Sequence, residues 1–229
     1  MQNTPTVYHR SFIAHTIAAC ALCGTPGTLL CPGCCKDLPL LGVACERCAE
    51  PLPVPGVCGH CLHDPPPFDV TRAAFRYASP LSELVLRLKF QGALHLARLL
   101  GELLVDHLGD APRPDLIVPV PLHPARLATR GYNQALELGR PLGHALGVPL
   151  GVGLCRRVRD TAAQSTLAPD GRRRNVRGAF AVHGSVPPHV VILDDVITTG
   201  ATLSELAHVL RRAGARHVEA WALARTGRG

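Results

Sequence analysis

Apolar residues repeat at helical spacing in some stretches of this chain and crowd together in others. Leu81, Leu84, Val85 and Leu88 recur every three or four positions, as do Leu96, Leu99, Leu100, Leu103 and Leu104. Each set predicts a helix with one buried face. Ser79 reads as the N-cap of the first helix, with Pro80 at its first helical position. Residues 190–193 are apolar on both faces, as a central parallel strand requires, and residues 116–120 read as another strand. Phe75-Arg76-Tyr77 and residues 217–223 supply further strands. Residues 133–146 read as a helix that Pro141 kinks or interrupts. Leu203, Leu206, Ala207 and Leu210 share one side of another helix, which Gly214 stops. This alternation predicts an α/β domain, a mostly parallel sheet with helices on both faces.

The first third of the chain has a different logic. It carries nine of the ten cysteines, all before residue 62, and many Gly and Pro residues. Eight cysteines form Cys-x-x-Cys pairs: Cys20/Cys23, Cys31/Cys34, Cys45/Cys48 and Cys58/Cys61. That spacing aims two thiolates at one metal, and two such knuckles complete a tetrahedral zinc site. Pairing in sequence order predicts a double zinc ribbon with two structural Zn²⁺ ions; an interleaved cross-brace is the alternative. Cys35 and Cys155 are bystanders. Disulfides would need an oxidising compartment. An iron–sulfur cluster also takes four cysteines, but the paired knuckles favour zinc. Ile17-Ala18-Ala19-Cys20 resembles a lipobox, yet the apolar stretch before it is short and broken by His15. With so few large apolar residues, this segment needs metal to fold. Pro51, Pro53, Pro55 and Pro65-Pro66-Pro67 form a stiff stretch. The expected domains are therefore residues 1–66 and 67–229.

Charge narrows the choice of ligand. The formal net charge is +7, which suits phosphate-rich ligands or nucleic acid. Seven arginines lie between Arg156 and Arg177 against only Asp160 and Asp170. No aromatic residue is interleaved with them, which weakens a base-stacking role on single-stranded DNA. Residues 20–61 hold only Lys36 and Arg47 as cations, so that segment has no strong electrostatic grip on DNA. No apolar run approaches the length that spans a bilayer, and the chain is expected to be cytoplasmic without membrane insertion.

The stretch Val190-Val191-Ile192-Leu193-Asp194-Asp195-Val196-Ile197-Thr198-Thr199-Gly200-Ala201-Thr202 carries the chemistry. A buried strand leads to two adjacent carboxylates, then to a small, hydroxyl-rich turn opening a helix. The carboxylates sit where open α/β sheets bind ligands, and ionised carboxylates accept from the vicinal hydroxyls of a ribose. The turn has no bulky side chain, so its N–H groups and the helix dipole can close around an anion. These thirteen residues resemble the phosphoribosyl pyrophosphate (PRPP) signature of type I phosphoribosyltransferases.

Two further segments sharpen the resemblance. Val118-Pro119-Val120-Pro121-Leu122 is followed by Arg126, Arg130, Gly131, Tyr132, Asn133 and Gln134. Thr161, Gln164, Leu167, Arg172, Asn175 and Ala179-Phe180 form the second group. Together with the cysteine knuckles they are similar to the ComF/GntX family of phosphoribosyltransferase-like proteins, over residues 20–223. The resemblance implies a type I phosphoribosyltransferase-like sheet and transfer of phosphoribose from Mg²⁺-bound PRPP to a nitrogenous acceptor. Asp194 and Asp195 would hold the ribose 2′- and 3′-hydroxyls, directly or through Mg²⁺ and water. Thr198, Thr199, Gly200, Ala201 and Thr202 would cradle the 5′-phosphate. The loop after Val120, with Arg130, would approach the pyrophosphate. The arginine-rich segment, with Gln164 and a catalytic Arg172, would close as a flap. Lys89 falls where the family pattern has a lysine, or is an ordinary cation at a helix end. Tyr132 is read either as a base-stacking or as a packing residue. The alternative function is a non-catalytic PRPP-binding accessory protein in competence or DNA uptake, contacting single-stranded DNA or competence proteins.

Overall fold

The computed structural model describes residues 19–159 and 175–227. The backbone forms two compact units, Met1–Leu38 and Pro39–Gly229. In the smaller unit, a tight turn returns Cys20 N–H to Thr25 O at 2.8 Å, and a one-turn helix, α1 (Pro32–Lys36), carries Cys34. Cys31 caps α1 through its sulfur, which accepts from Cys34 N.

The larger unit is built on a parallel sheet. Its strands are β1 (Val70–Arg76), β2 (Leu116–Pro119), β5 (His189–Ile197) and β6 (His217–Arg225), ordered β1-β6-β5-β2. A separate antiparallel hairpin pairs β3 (Cys155–Arg157) with β4 (Phe180–Val182). The helices are α2 (Gly59–His63), α3 (Leu81–Phe90), α4 (His95–Leu108), α5 (Pro124–Arg130), α6 (Gln134–Leu146) and α7 (Ala201–Arg212). No helix among the described residues is long and apolar enough to cross a membrane.

Strand alternation assigns the helices to opposite faces. Val118, Val190, Ile192, Val218 and Ala220 share a buried cluster with Leu203, Leu206 and Leu210 of α7. On the other face, Gly139 of α6 packs so closely on Leu193 that an added Cβ would meet its Cδ2 at 3.0 Å. The ring of His107 in α4 lies 4.7 Å from that of Phe75 in β1. Both faces of β5 are thus covered, and residues 190–193 are fully buried. The expected α/β sheet with helices on both faces is what forms.

Several local expectations change. Helix α3 starts at Leu81, with Pro80 at the cap position, and Ser79 instead donates its hydroxyl to Glu83 at 2.7 Å. Pro141 does not interrupt α6, which runs unbroken to Leu146. Its ring packs on α4 at Gly101, where an added Cβ would meet Pro141 Cγ at 2.8 Å. The close helix–helix contact outweighs one missing backbone hydrogen bond. Strand β1 begins at Val70 and stops at Arg76, earlier at both ends than the aromatic residues suggest. Strand β5 continues through the acidic pair to Ile197, because Asp194 and Val196 pair with Ala222 and Ala224 of β6.

The second pair of knuckles and the proline-rich stretch belong to the larger unit. Thr71 at the start of β1 donates its N–H to Glu46 O at 2.8 Å and its hydroxyl to Arg47 O at 2.6 Å.

Candidate functional site

Asp194 and Asp195 lie near the carboxyl end of β5. Each is fixed by its neighbour: Asp195 N donates to Asp194 Oδ1 at 2.9 Å, and Val196 N to Asp195 Oδ1 at 2.8 Å. Asp195 is buried, and its Oδ2 lies 2.8 Å from Lys89 Nζ. Lys89 thus reaches from α3 into the site rather than serving as a plain helix-end cation. Burial alone would push its ammonium down, but the Asp195 carboxylate outweighs that and raises it above its usual range. Asp194 behaves oppositely. Burial and the adjacent Asp195 push its carboxyl up to about 8, with Lys89 only partly opposing them. Two carboxylates and one ammonium leave the site short of positive charge. That is the donor set and the electrostatic setting in which Mg²⁺ fits.

The following turn opens directly into a helix N-terminus. Gly200 takes φ +76° and caps α7. Thr199 Oγ1 accepts from Ala201 N at 3.4 Å, and Thr202 is buried in the first turn. Strand β2 brings its own loop alongside. Pro119 pairs with Leu193, Val120 N donates to Leu193 O at 2.8 Å, and Asn133 Nδ2 donates to Val120 O at 3.0 Å. The loop after Val120 therefore starts beside the acidic pair. Arg130 ends α5, donates to Gln134 Oε1 at 2.7 Å, and lies 5.7 Å from the centre of the Phe90 ring, next to Lys89 in the chain. Tyr132 donates its hydroxyl to Leu88 O, in the helix that carries Lys89.

Gln164 and Arg172 lie outside the described residues, as do Thr161 and Leu167. The ends of that arginine-rich segment are held near the turn. Arg159 Nη1 donates to Arg177 O at 2.5 Å, and Gly178 N donates to Glu205 of α7 at 2.7 Å. A cavity of about 820 Å³ opens there, lined by Arg177, Thr199, Gly200, His208, His60 and Cys61 among others. It borders the turn but is not lined by Asp194, Asp195 or Lys89.

The eight paired cysteines gather in sequence order into two groups of four, Cys20, Cys23, Cys31, Cys34 and Cys45, Cys48, Cys58, Cys61. Within each group all four sulfurs lie within 4.8 Å of one another. Backbone N–H groups point at the thiols, from Cys31 to Cys20 Sγ at 3.4 Å and from Cys58 to Cys45 Sγ at 3.2 Å. Burial pushes Cys20 up, but donated N–H bonds outweigh it and bring the thiol down to about 6. Cys45 falls to about 7 by the same balance. Burial instead pushes Cys48 up to about 11 and raises Cys61 as well, while the hydrogen bond with Cys31 raises Cys34. Four thiols this close cannot all ionise without a cation among them, and four-sulfur coordination suits Zn²⁺.

One residue escaped the sequence reading. Arg225, at the end of β6, is buried at 1% exposure. Its guanidinium donates to Cys48 O at 3.0 Å, pairs with Glu50 at 2.9 Å, and donates to Ile197 O at 3.3 Å and to Thr198 O. It ties the second cysteine group to the turn that follows β5.

No family model matches the chain. It is 39% identical to DNA utilization protein YhgH of Salmonella typhi, over 90% of this chain and 96% of that one. To competence protein F of Haemophilus influenzae it is 38% identical, over 86% and 90%. Among solved structures, a purine phosphoribosyltransferase from Pyrococcus horikoshii Ot3 is 20% identical, covering 57% of this chain and 83% of that one, with a TM-score of 0.36. With these two relatives matching nearly end to end and the acidic pair, turn and cysteine groups assembled as described, the chain belongs to the ComF/GntX family, alongside competence protein F and YhgH.

Proposed function

We propose that the chain binds Mg²⁺-PRPP at the carboxyl end of β5 and transfers its phosphoribosyl group to a nitrogenous acceptor. The supporting observation is the under-neutralised pair Asp194 and Asp195, set against Lys89 and followed at once by the turn that opens α7.

In that reaction the bond from C1′ to pyrophosphate breaks, a C1′–nitrogen bond forms, and the acceptor gives up a proton. Mg²⁺, held by Asp194 and Asp195, would neutralise charge on the leaving pyrophosphate. The residues of the chain mainly position and orient. The two carboxylates accept from the ribose hydroxyls and fix the sugar. Residues 198–202 present N–H groups and hydroxyls to the 5′-phosphate at the helix N-terminus. Arg130 approaches the pyrophosphate, for which an arginine fork is well shaped. Arg172 and Gln164 would supply the closing flap that the family resemblance implies. Lys89 pairs with Asp195 and holds its carboxylate in place. Zn²⁺ in both cysteine groups belongs to the same reading, as does a cytoplasmic setting in which thiols stay reduced.

A second reading draws on the relatives, whose names are DNA utilization protein and competence protein F. There the chain binds PRPP without transferring it and contacts single-stranded DNA. Calorimetric titration of the zinc-loaded protein with PRPP, with and without Mg²⁺, tests what both readings share. Mg²⁺-dependent binding is expected; no binding would remove both. Pyrophosphate release across a panel of nitrogenous acceptors then separates transfer from binding. Salt-dependent capture of single-stranded DNA with no release would favour the accessory reading.

A further inference from the structure

The amino end of the two central strands holds a cluster of ligating side chains, at the other end of β5 from the acidic pair. His189 opens β5 and His217 opens β6, and the parallel register pairs them directly. Glu219 lies two residues along β6, so its side chain falls on the same face. Glu219 is buried, with its side chain 2% exposed, while His189 and His217 keep 21% and 44%. Solvent therefore reaches the two imidazoles but not the carboxylate.

The two carboxylate oxygens are used differently. Oε2 accepts from Trp221 Nε1 at 2.9 Å and from Arg72 Nε at 3.2 Å. These bonds fix its plane. Oε1 faces His189 Nε2 at 3.1 Å and His217 Nε2 at 3.3 Å. All three ligating atoms lie within 4.8 Å of one another. Ligands about 2.0–2.1 Å from a tetrahedral zinc ion stand roughly 3.3 Å apart. The two Glu219–histidine distances already match that spacing.

Its surroundings resemble the support of a metal ligand. His217 Nδ1 faces Asp69 Oδ2 at 3.3 Å. Asp69 Oδ2 is itself fixed, accepting from Arg211 Nη2 at 2.7 Å and from Val218 N at 2.8 Å. A carboxylate on Nδ1–H selects the tautomer that leaves the Nε2 lone pair available to a metal. His189 is anchored through its backbone, whose N–H donates to Asp115 Oδ2 at 2.9 Å.

We propose that His189, His217 and Glu219 form a third metal site, taking a divalent first-row transition ion, zinc foremost, with a fourth position open to solvent. Two neutral imidazoles and one carboxylate are borderline donors that suit zinc better than Mg²⁺ or Ca²⁺. The competing reading is a hydrogen-bonded hub that anchors a buried glutamate and never takes up metal.

The test uses full-length protein whose cysteine groups are already zinc-loaded. After equilibrium dialysis against Zn²⁺, metal is counted per chain for wild type, His189→Ala, His217→Ala and His144→Ala. One equivalent more is expected in wild type and His144→Ala than in the two cluster variants. Equal counts in all four would overturn the site. The His217 ring is well exposed, and melting curves of each variant identify any loss of fold. As a measurement independent of variants, Co²⁺ added to zinc-loaded wild type should give ligand-field absorption without a thiolate charge-transfer band. No such absorption, or a thiolate band, would also overturn it.

Discussion

Two acidic groups at opposite ends of the same strands show how differently one sheet treats negative charge. At the amino end, Glu219 is buried, yet Trp221 and Arg72 outweigh the burial and hold its carboxyl below the usual range. At the carboxyl end, burial and the neighbouring Asp195 push Asp194 up to about 8. The first carboxylate receives its compensating charge from the chain. The second is left wanting a cation from solution. A carboxylate neutralised on one oxygen by its own fold presents the other in a preset place, as Glu219 does to the imidazoles, whereas the acidic pair draws on a cation from outside.

The contrast can be broken by substitution, and the largest effect is expected at its pivot. Lys89→Met strands Asp195 without a counter-ion and should cost about 3 kcal/mol of stability. Adding Asp195→Asn should return most of that loss, and denaturant unfolding of the double-mutant cycle reads the coupling. Additive losses would show that Lys89 does not neutralise Asp195. Next comes the ligand. Asp194→Asn with Asp195→Asn should weaken PRPP binding by about 100-fold or more while leaving the circular dichroism unchanged, since charge-assisted contacts to the ligand disappear. Undiminished binding by calorimetry would remove the pair from the site.

The two ends should also answer pH with opposite sign. Glu219 has a folded pKa below its ordinary 4.5, so its contribution is present above that value and is lost as pH falls through the folded pKa. Glu219→Gln should cost about 1–3 kcal/mol near neutrality, and less in acid. Asp194 has a folded pKa above its ordinary 3.8. Its stabilising effect is present in acid and is lost as pH rises from about 4 towards 8. Asp194→Asn should therefore raise ligand-free stability at pH 8 by about 1–2 kcal/mol, allowing for partial solvent access, and by little at pH 4. Melting temperatures across that range measure both, and parallel slopes would end the comparison.

What could be read from the sequence was what lies close together in it. The acidic pair, the Thr-Thr-Gly turn and the start of α7 are contiguous, and each cysteine group spans fewer than twenty residues. Lys89 and Asp195 are far apart in the chain, and helix periodicity alone does not show which way the lysine reaches. Arg225 was invisible for the same reason, since it meets Cys48 across 177 residues. His189 and His217 left one faint cue, a histidine opening each of two neighbouring strands, but only the parallel register sets them side by side. The extra length of β5 depended on small partners: Ala222 and Ala224 let the strand run on beside the carboxylates. Strands β3 and β4 have three residues each, too few for any periodicity to emerge.

The place of β6 has a consequence for how the molecule is made. It follows every other described strand in the chain, yet it lies inside the sheet, between β1 and β5. During synthesis, then, β1 and β5 emerge first, each with a row of backbone groups that nothing yet covers. Such edges are adhesive towards other chains. The interval before residues 217–225 leave the ribosome is the time of greatest exposure. When they arrive, one strand seals both edges and delivers Arg225 to the turn and the cysteines together. The sheet, the turn after β5 and the second cysteine group should thus mature in a single late event, and a chaperone would have most to protect just before it.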